Sequence, residues 1–240
     1  MASPLHQFEV HTLLPIQIGS LDASFTNAGF FMLLAVALIT GFLVQAMKPR
    51  SVIPGRLQSV AELAYEFIAN MIRTNVGREG RPYFPFIFSL FFFILLGNML
   101  GMMPYGYTFT SHLVVTLGMA LVVFIGTTVI GFAKHGLGFC GFFLPHGTPI
   151  FLAPLLIPLE IMSYCFRPVS LSLRLFANMT AGHTLLKVFA GFVVSLGVLG
   201  FIPMVAVIGL TGLEFLVAFL QAYVYAVLAC IYLNDALHMH

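Results

Sequence analysis

Val169-Ser-Leu-Ser-Leu-Arg-Leu-Phe-Ala-Asn-Met-Thr-Ala-Gly-His183 sets a single arginine, Arg174, in a run of otherwise apolar or uncharged residues. The acid nearest to it in sequence is Glu160, fourteen residues away. An arginine at the centre of a membrane span costs ~2.5–3.5 kcal/mol on insertion scales. Its guanidinium keeps its proton in a protein. A permanent charge at that depth has to be offset, so the residues around Arg174 decide how the chain is read.

The flanking chain is membrane-like throughout. It has 240 residues, 60% of them hydrophobic and 8% charged, with a mean hydropathy of +1.04. A soluble domain carries about 25% charged residues. Eighteen formal charges do not cover a water-exposed surface for this length, so most of the surface is expected to face lipid. A net charge of +2 with no long basic run excludes a nucleic-acid footprint. Cys140, Cys165 and Cys230 form no Cys-x-x-Cys pair and read as small buried hydrophobes. The first twenty-one residues hold no Lys or Arg, which fits neither a secretory signal nor an Arg-rich transit peptide.

Hydropathy predicts an all-α membrane protein of about five transmembrane helices and one interfacial helix. Residues 28–47 form the first span and end at Lys48, Arg50 and Arg56, which mark the cytoplasmic or matrix side. The N-terminus is then outside. Over 54–78, Leu57, Val60, Ala61, Ala64, Phe67, Ile68, Met71 and Ile72 recur at helical spacing between polar residues, the pattern of an amphipathic helix on the inner interface. Residues 84–103 cross outward, Pro104 and Gly106 mark an outer turn, and 112–133 cross back to Lys134 and His135. The Gly-rich stretch 135–148 is expected to be irregular. Segments 149–187 and 188–237 are each too long for one upright span. Either they break, at Pro168 and Pro203, or they run strongly tilted. One crossing each puts the C-terminus inside. No internal repeat supports an inverted-repeat transporter.

Helical phase sorts the buried polar groups. Glu160, Ser163, Arg167, Ser170, Arg174 and Asn178 share one face, which must meet a partner or water rather than lipid. His183, with Lys187 one turn on, lies about 180° round and roughly 13 Å along the axis. In the last segment Glu214, Gln221, Tyr225 and Tyr232 share a face. Antiparallel packing brings Glu214 towards His183 and Gln221 towards Arg174. A His–Glu pair suits a proton relay, because a carboxylate tunes an imidazole through physiological pH.

Ser170-Leu-Ser-Leu-Arg174-Leu-Phe-Ala-Asn178-Met179 resembles the signature of the subunit a family of F-type ATP synthases. Pro168-Val-Ser-Leu before it, Thr180-Ala-Gly-His183 after it, Leu220-Gln221-Ala222-Tyr223 and Asn98-Met-Leu-Gly-Met-Met-Pro104 extend the resemblance over essentially the whole chain. The resemblance implies a stator subunit without nucleotide chemistry or cofactor. It implies that the last two helices lie tilted against a rotating ring of c subunits, with b-type peripheral-stalk subunits and other synthase subunits as further partners. Arg174 is then the essential cation facing the ring carboxylates, between two offset half-channels. Gln221 and Asn178 are its polar neighbours, His183 and Glu214 line the outer half-channel, and Glu160 and Ser170 are candidates for the inner one. Some bacterial members of the family exchange the two residue types seen here at His183 and Glu214. Some carry acids where this chain has Gly101 and Gly106. The implied location is a bacterial plasma membrane or a mitochondrial inner membrane.

Plainer roles compete for several residues. Gln221 can be interhelical glue, His183 and Glu214 a buried pair, and Tyr225 and Tyr232 packing residues. Arg167 and Lys187 read as snorkelling ends. His6, His11, His112, His135, His146, His238 and His240 show no metal-ligand spacing on a shared face, and His11 is a weak candidate near the outer mouth. A secondary proton-coupled transporter is the alternative function. An intramembrane hydrolase is disfavoured by the lack of His-Glu-x-x-His and Gly-x-Ser-x-Gly.

Overall fold

A computed structural model describes residues 10–15, 17–18, 21–22, 24–48, 53–103, 106–143 and 152–238. His6, Arg50, Pro104, His146, Pro149 and His240, and the side chain of Cys140, lie outside the described residues.

Two small antiparallel pairs precede the helices. β1 (Thr12–Leu14) pairs with β4 (Phe25–Thr26), and β2 (Gln17–Ile18) pairs with β3 (Leu21–Asp22). Hydropathy gave no sign of them, because two- and three-residue strands carry no periodic signal. α1 (Asn27–Met47) starts where Thr26 Oγ1 accepts from the Gly29 amide at 3.4 Å. α2 (Arg56–Asn75) has the amphipathic pattern. Ala61, Ile68, Met71 and Ile72 turn into the bundle, while Leu57, Val60, Leu63 and Phe67 stay exposed.

A 3-10 segment, Arg78–Tyr83, leads into α3 (Phe84–Gly101). Pro85 falls in the first turn of α3, where its missing N–H is harmless. α4 (Leu113–His135) follows the turn at 106–112. The Gly-rich stretch expected to be irregular is 3-10 helical over Gly136–Phe143. It is held by Phe139, whose ring packs so tightly on Gly131 that a β-carbon there would overlap it.

The last two helices are unbroken. α5 (Ala153–Ser195) has 43 residues and α6 (Phe201–Leu237) has 37, roughly 64 Å and 56 Å at ~1.5 Å per residue. Pro158 and Pro168 lie inside α5 without ending it, as membrane helices tolerate when neighbours satisfy the freed backbone. Pro203 sits in the first turn of α6. The reversal between them comes at Leu196–Gly200, later than the 187/188 division read from hydropathy. Gly197 takes φ 56°, and Gly200 packs against the Val193 carbonyl. Lys187 remains inside α5, since a single charge does not terminate a helix.

Four described stretches are long and apolar enough to cross a membrane: α1, Arg78–Gly101, α4 and α6. α5, with its charged positions, is not among them. α6 packs against α3, α4 and α5 along a seam of Ala218, Ala222, Ala226 and Ala229, all at or near zero exposure. Small residues let helix backbones approach closely where no hydrophobic effect drives association. Ile68, Ile72, Ile87, Phe91, Leu175 and Met179 fill the core around this seam. Chain direction gives the bundle a basic end, with Arg78, Lys134 and His238, and a turn end, with 106–112.

Candidate functional site

α5 and α6 run antiparallel, and towards the turn end they bring His183 and Glu214 together. His183 Nδ1 lies 3.4 Å from Glu214 Oε1, with the two side chains 8% and 5% exposed. Gly182 makes the space for the carboxyl group, since a β-carbon there would meet Oε1 at 2.8 Å. Neither carboxyl oxygen has a hydrogen-bond partner among the described residues. The other ring nitrogen of His183, Nε2, is 2.9 Å from the Thr108 hydroxyl. Thr108 comes from the turn between α3 and α4, and it fits because Gly101 has no β-carbon to overlap its side chain. Ser111 Oγ donates to the Thr108 carbonyl at 2.6 Å, and Thr180 Oγ1 donates to the Ser111 carbonyl at 3.4 Å, which fastens the turn to α5. Carboxylate, imidazole and hydroxyl thus form a continuous series of groups able to accept and donate a proton.

A second polar cluster lies towards the basic end. Arg167 Nη1 donates to Asp235 Oδ2 at 2.8 Å, with the two side chains 21% and 26% exposed. The guanidinium carbon sits 5.1 Å from the ring centres of both Tyr164 and Tyr232. The Tyr164 hydroxyl is 2.7 Å from Thr128 Oγ1 on α4. Arg167 therefore does not snorkel, as its sequence position suggested. It is clamped between aromatic rings and paired across the helix seam. Sequence reasoning missed Asp235. It lies three residues past Tyr232, beside the Glu214–Gln221–Tyr232 stripe, and that offset was the available signal.

Arg174 lies between these clusters along α5 and is exposed on the isolated chain. No hydrogen bond or ion pair joins it to Gln221 or Asn178 among the described residues. Tyr232 is within its electrostatic reach. Ser170 is exposed on the same side, while Glu160, Asn178 and Gln221 are half-buried. Tyr225 is buried, and its hydroxyl has no hydrogen-bond partner among the described residues.

Asn98 is fully buried and ties three elements together. Its amide Nδ2 donates to the Ala218 carbonyl of α6 at 3.3 Å, and its Oδ1 accepts from Thr110 Oγ1 at 2.7 Å. Next to it in the chain, Gly97 gives way to the Phe109 ring, which would overlap a β-carbon there. In the turn itself, Tyr107 and His112 stack with ring centres 5.4 Å apart and share a hydrogen bond between Oη and Nε2. Burial pushes the Tyr107 phenol up to about 12 and the His112 imidazole below its ordinary value. At the basic end Lys134 pairs with Glu79, and His238 Nε2 approaches the same carboxylate at 3.8 Å. His135 Nε2 is 3.2 Å from the Leu237 carbonyl, joining the ends of α4 and α6.

Ionisable side chains packed between long apolar helices define an integral, multi-pass, all-α membrane protein. The family model described as ATP synthase A chain matches residues 29–234. The chain belongs to that family. Among similar proteins, "ATP synthase subunit a" of Rhodospirillum rubrum is 57% identical over 241 residues and covers 100% of both chains. The protein of that name from Paramagnetospirillum magneticum is 57% identical over 247 residues, again with 100% of both covered. The one from Allorhizobium ampelinum is 56% identical over 243 residues, 98% of this chain and 97% of the relative.

Proposed function

We propose that this chain is the stationary subunit of the proton channel in an F-type ATP synthase, and that it couples proton flow to rotation of a ring of c subunits. It performs no nucleotide chemistry itself and works with that ring, with b-type peripheral-stalk subunits and with the rest of the synthase. The N-terminus is outside, and the basic end with the C-terminus faces the cytoplasm or matrix.

One observation carries the reading. Two polar clusters sit at different heights on the same helix pair, and an exposed arginine lies between them. From His183 to Arg167 is sixteen positions along α5, roughly 24 Å by helical rise. This supports two offset half-channels. The outer one is lined by Glu214 and His183, and the inner one by Glu160 and Ser170. Gln221 and Asn178 are polar neighbours of Arg174.

Each ring subunit presents a carboxyl group that must be protonated while it faces lipid, because an ionised acid is costly there. Opposite Arg174 that group is stabilised as an anion and releases its proton to one half-channel. The ring turns, and the group reloads from the other side. The guanidinium also repels protons that would pass directly between the channels. A proton-motive force of ~200 mV supplies ~4.6 kcal/mol for each proton, scaled from ~2.3 kcal/mol per 100 mV.

The deciding experiment replaces Arg174 by Ala and by Lys in the assembled synthase. ATP-driven proton pumping is measured in inverted vesicles alongside subunit content. Pumping is expected to vanish in Arg174→Ala with assembly intact. Pumping at the wild-type rate would remove the proposal.

A further inference from the structure

Beyond the proton path, the basic end of the bundle holds a cavity of about 740 Å³ between the second half of α2, the Arg78–Tyr83 segment and the start of α3. Arg73, Arg78 and Arg81 line it, and no acid among the described residues does. None of the three has a hydrogen bond or ion pair among the described residues. Glu79 stands between two of them in sequence, yet its carboxylate pairs with Lys134 and His238, none of them lining the cavity. We propose that this cavity binds the anionic headgroup of a phospholipid.

The site is built by the backbone rather than by chance proximity of long side chains. Gly77 takes φ 82°, a conformation that L side chains rarely adopt, and there the chain turns out of α2. Gly80 then packs the 3-10 segment onto α2, where a β-carbon would meet Ile72 Cγ2 at 2.7 Å. These two glycines carry Arg78 and Arg81 back beside Arg73.

The chemistry of the lining selects the ligand. Guanidinium forks match phosphate oxygens in a planar, two-bond geometry. Beneath them lie Ile72 and the rings of Tyr65 and Phe84, whose centres are 4.5 Å apart. A free phosphate has no use for that apolar floor, whereas a glycerolipid fills it with its backbone and first methylenes. Position agrees. α2 keeps Leu57, Val60 and Leu63 exposed, the residues of a helix lying against lipid, and the arginines follow towards its end.

The test uses the purified, fully assembled complex in neutral detergent. Bound phosphatidylglycerol is counted by native mass spectrometry during titration. The wild type is expected to retain phosphatidylglycerol but not phosphatidylcholine. R78Q/R81Q is expected to bind at least roughly tenfold more weakly, the scale of losing a single hydrogen bond to a charged group. R78K/R81K falls between, and R56Q, a basic residue outside the cavity, leaves retention unchanged. If R78Q/R81Q does not assemble, R73Q must still lower retention. Equal retention in wild type and the cavity variants overturns the proposal. So does an equal loss in R56Q, which indicates diffuse charge attraction. Displacement of the lipid by millimolar inorganic phosphate overturns it in favour of a free-anion site. Loss of a stalk subunit from R78Q/R81Q with lipid retained overturns it in favour of a protein seat.

Discussion

Gly101 of α3 lies directly against the side chain of Thr108, and that absence of a β-carbon lets the Thr108 hydroxyl reach His183 Nε2 at 2.9 Å. A larger residue must push the turn away from α5. Gly101→Val is expected to destabilise the assembled protein by about 1–3 kcal/mol, the cost of overpacking, and to slow proton pumping. Thr108→Ser keeps the hydroxyl and is expected to pump nearly as the wild type does, while Thr108→Val is slowed. Thermal melting and vesicle acidification measure the two effects. A Gly101→Val protein with unchanged melting would show that the turn has slack.

His183 and Glu214 depend on each other. Removing one partner of a buried pair leaves an uncompensated group, typically worth about 3–5 kcal/mol. His183→Ala and Glu214→Ala are both expected to lose pumping. The exchange His183→Glu with Glu214→His restores the same two groups in reverse, and pumping is expected to exceed that of either single variant. If the exchange is no better than the singles, the contact does not carry protons.

The Arg167–Asp235 pair is suited to a double-mutant cycle. Arg167→Gln and Asp235→Asn each remove one partner, and neighbours in contact couple by about 0.5–3 kcal/mol. Thermal stability of the single and double variants gives the coupling. Additive losses would mean that the pair is incidental to the seam between α5 and α6.

Asn98 joins α3, the turn and α6 by two hydrogen bonds. Asn98→Leu keeps the branched shape, removes the side-chain bond that the Ala218 carbonyl accepts beside its helical one, and strands the Thr110 hydroxyl. Interhelical hydrogen bonds in membranes are worth about 0.6–2 kcal/mol, so a loss of that order in melting is expected. Unchanged melting would show that the Thr110 hydroxyl finds another partner.

At the turn, burial holds the His112 imidazole below its ordinary 6.5. The sign follows from linkage. A depressed folded value means that the unfolded turn binds the proton more readily, so the neutral ring's stabilisation is present above pH 6.5 and fades as pH falls towards the folded value. Amide exchange at 106–112, corrected for intrinsic rates, is expected to accelerate on acidification in the wild type and to lose that dependence in His112→Gln. Identical profiles would place the pH response elsewhere.

Much of this architecture was readable beforehand because helical periodicity places groups on faces. The His183 and Glu214 contact followed from phase and antiparallel packing alone. The surrounding cluster did not, because Thr108 reaches α5 through a turn whose path depends on Gly97 and Gly101, and no period encodes a void. Arg167 was misread for a related reason. Its partner Asp235 is sixty-eight positions away, and hydropathy treats an arginine towards a span's end as free to reach water. The end of α5 was also misplaced. Hydropathy marks charge, whereas the chain turned where Gly197 could take a positive φ.

Because α6 runs without interruption, Glu214 and Asp235 are fixed on one rod, twenty-one positions or roughly 31 Å apart. A slip of α6 past α5 by a single turn, about 5.4 Å, would part Glu214 from His183 and Asp235 from Arg167 in the same movement. The two fastenings therefore hold or fail jointly, with the buried alanine seam lying between them on the same rod.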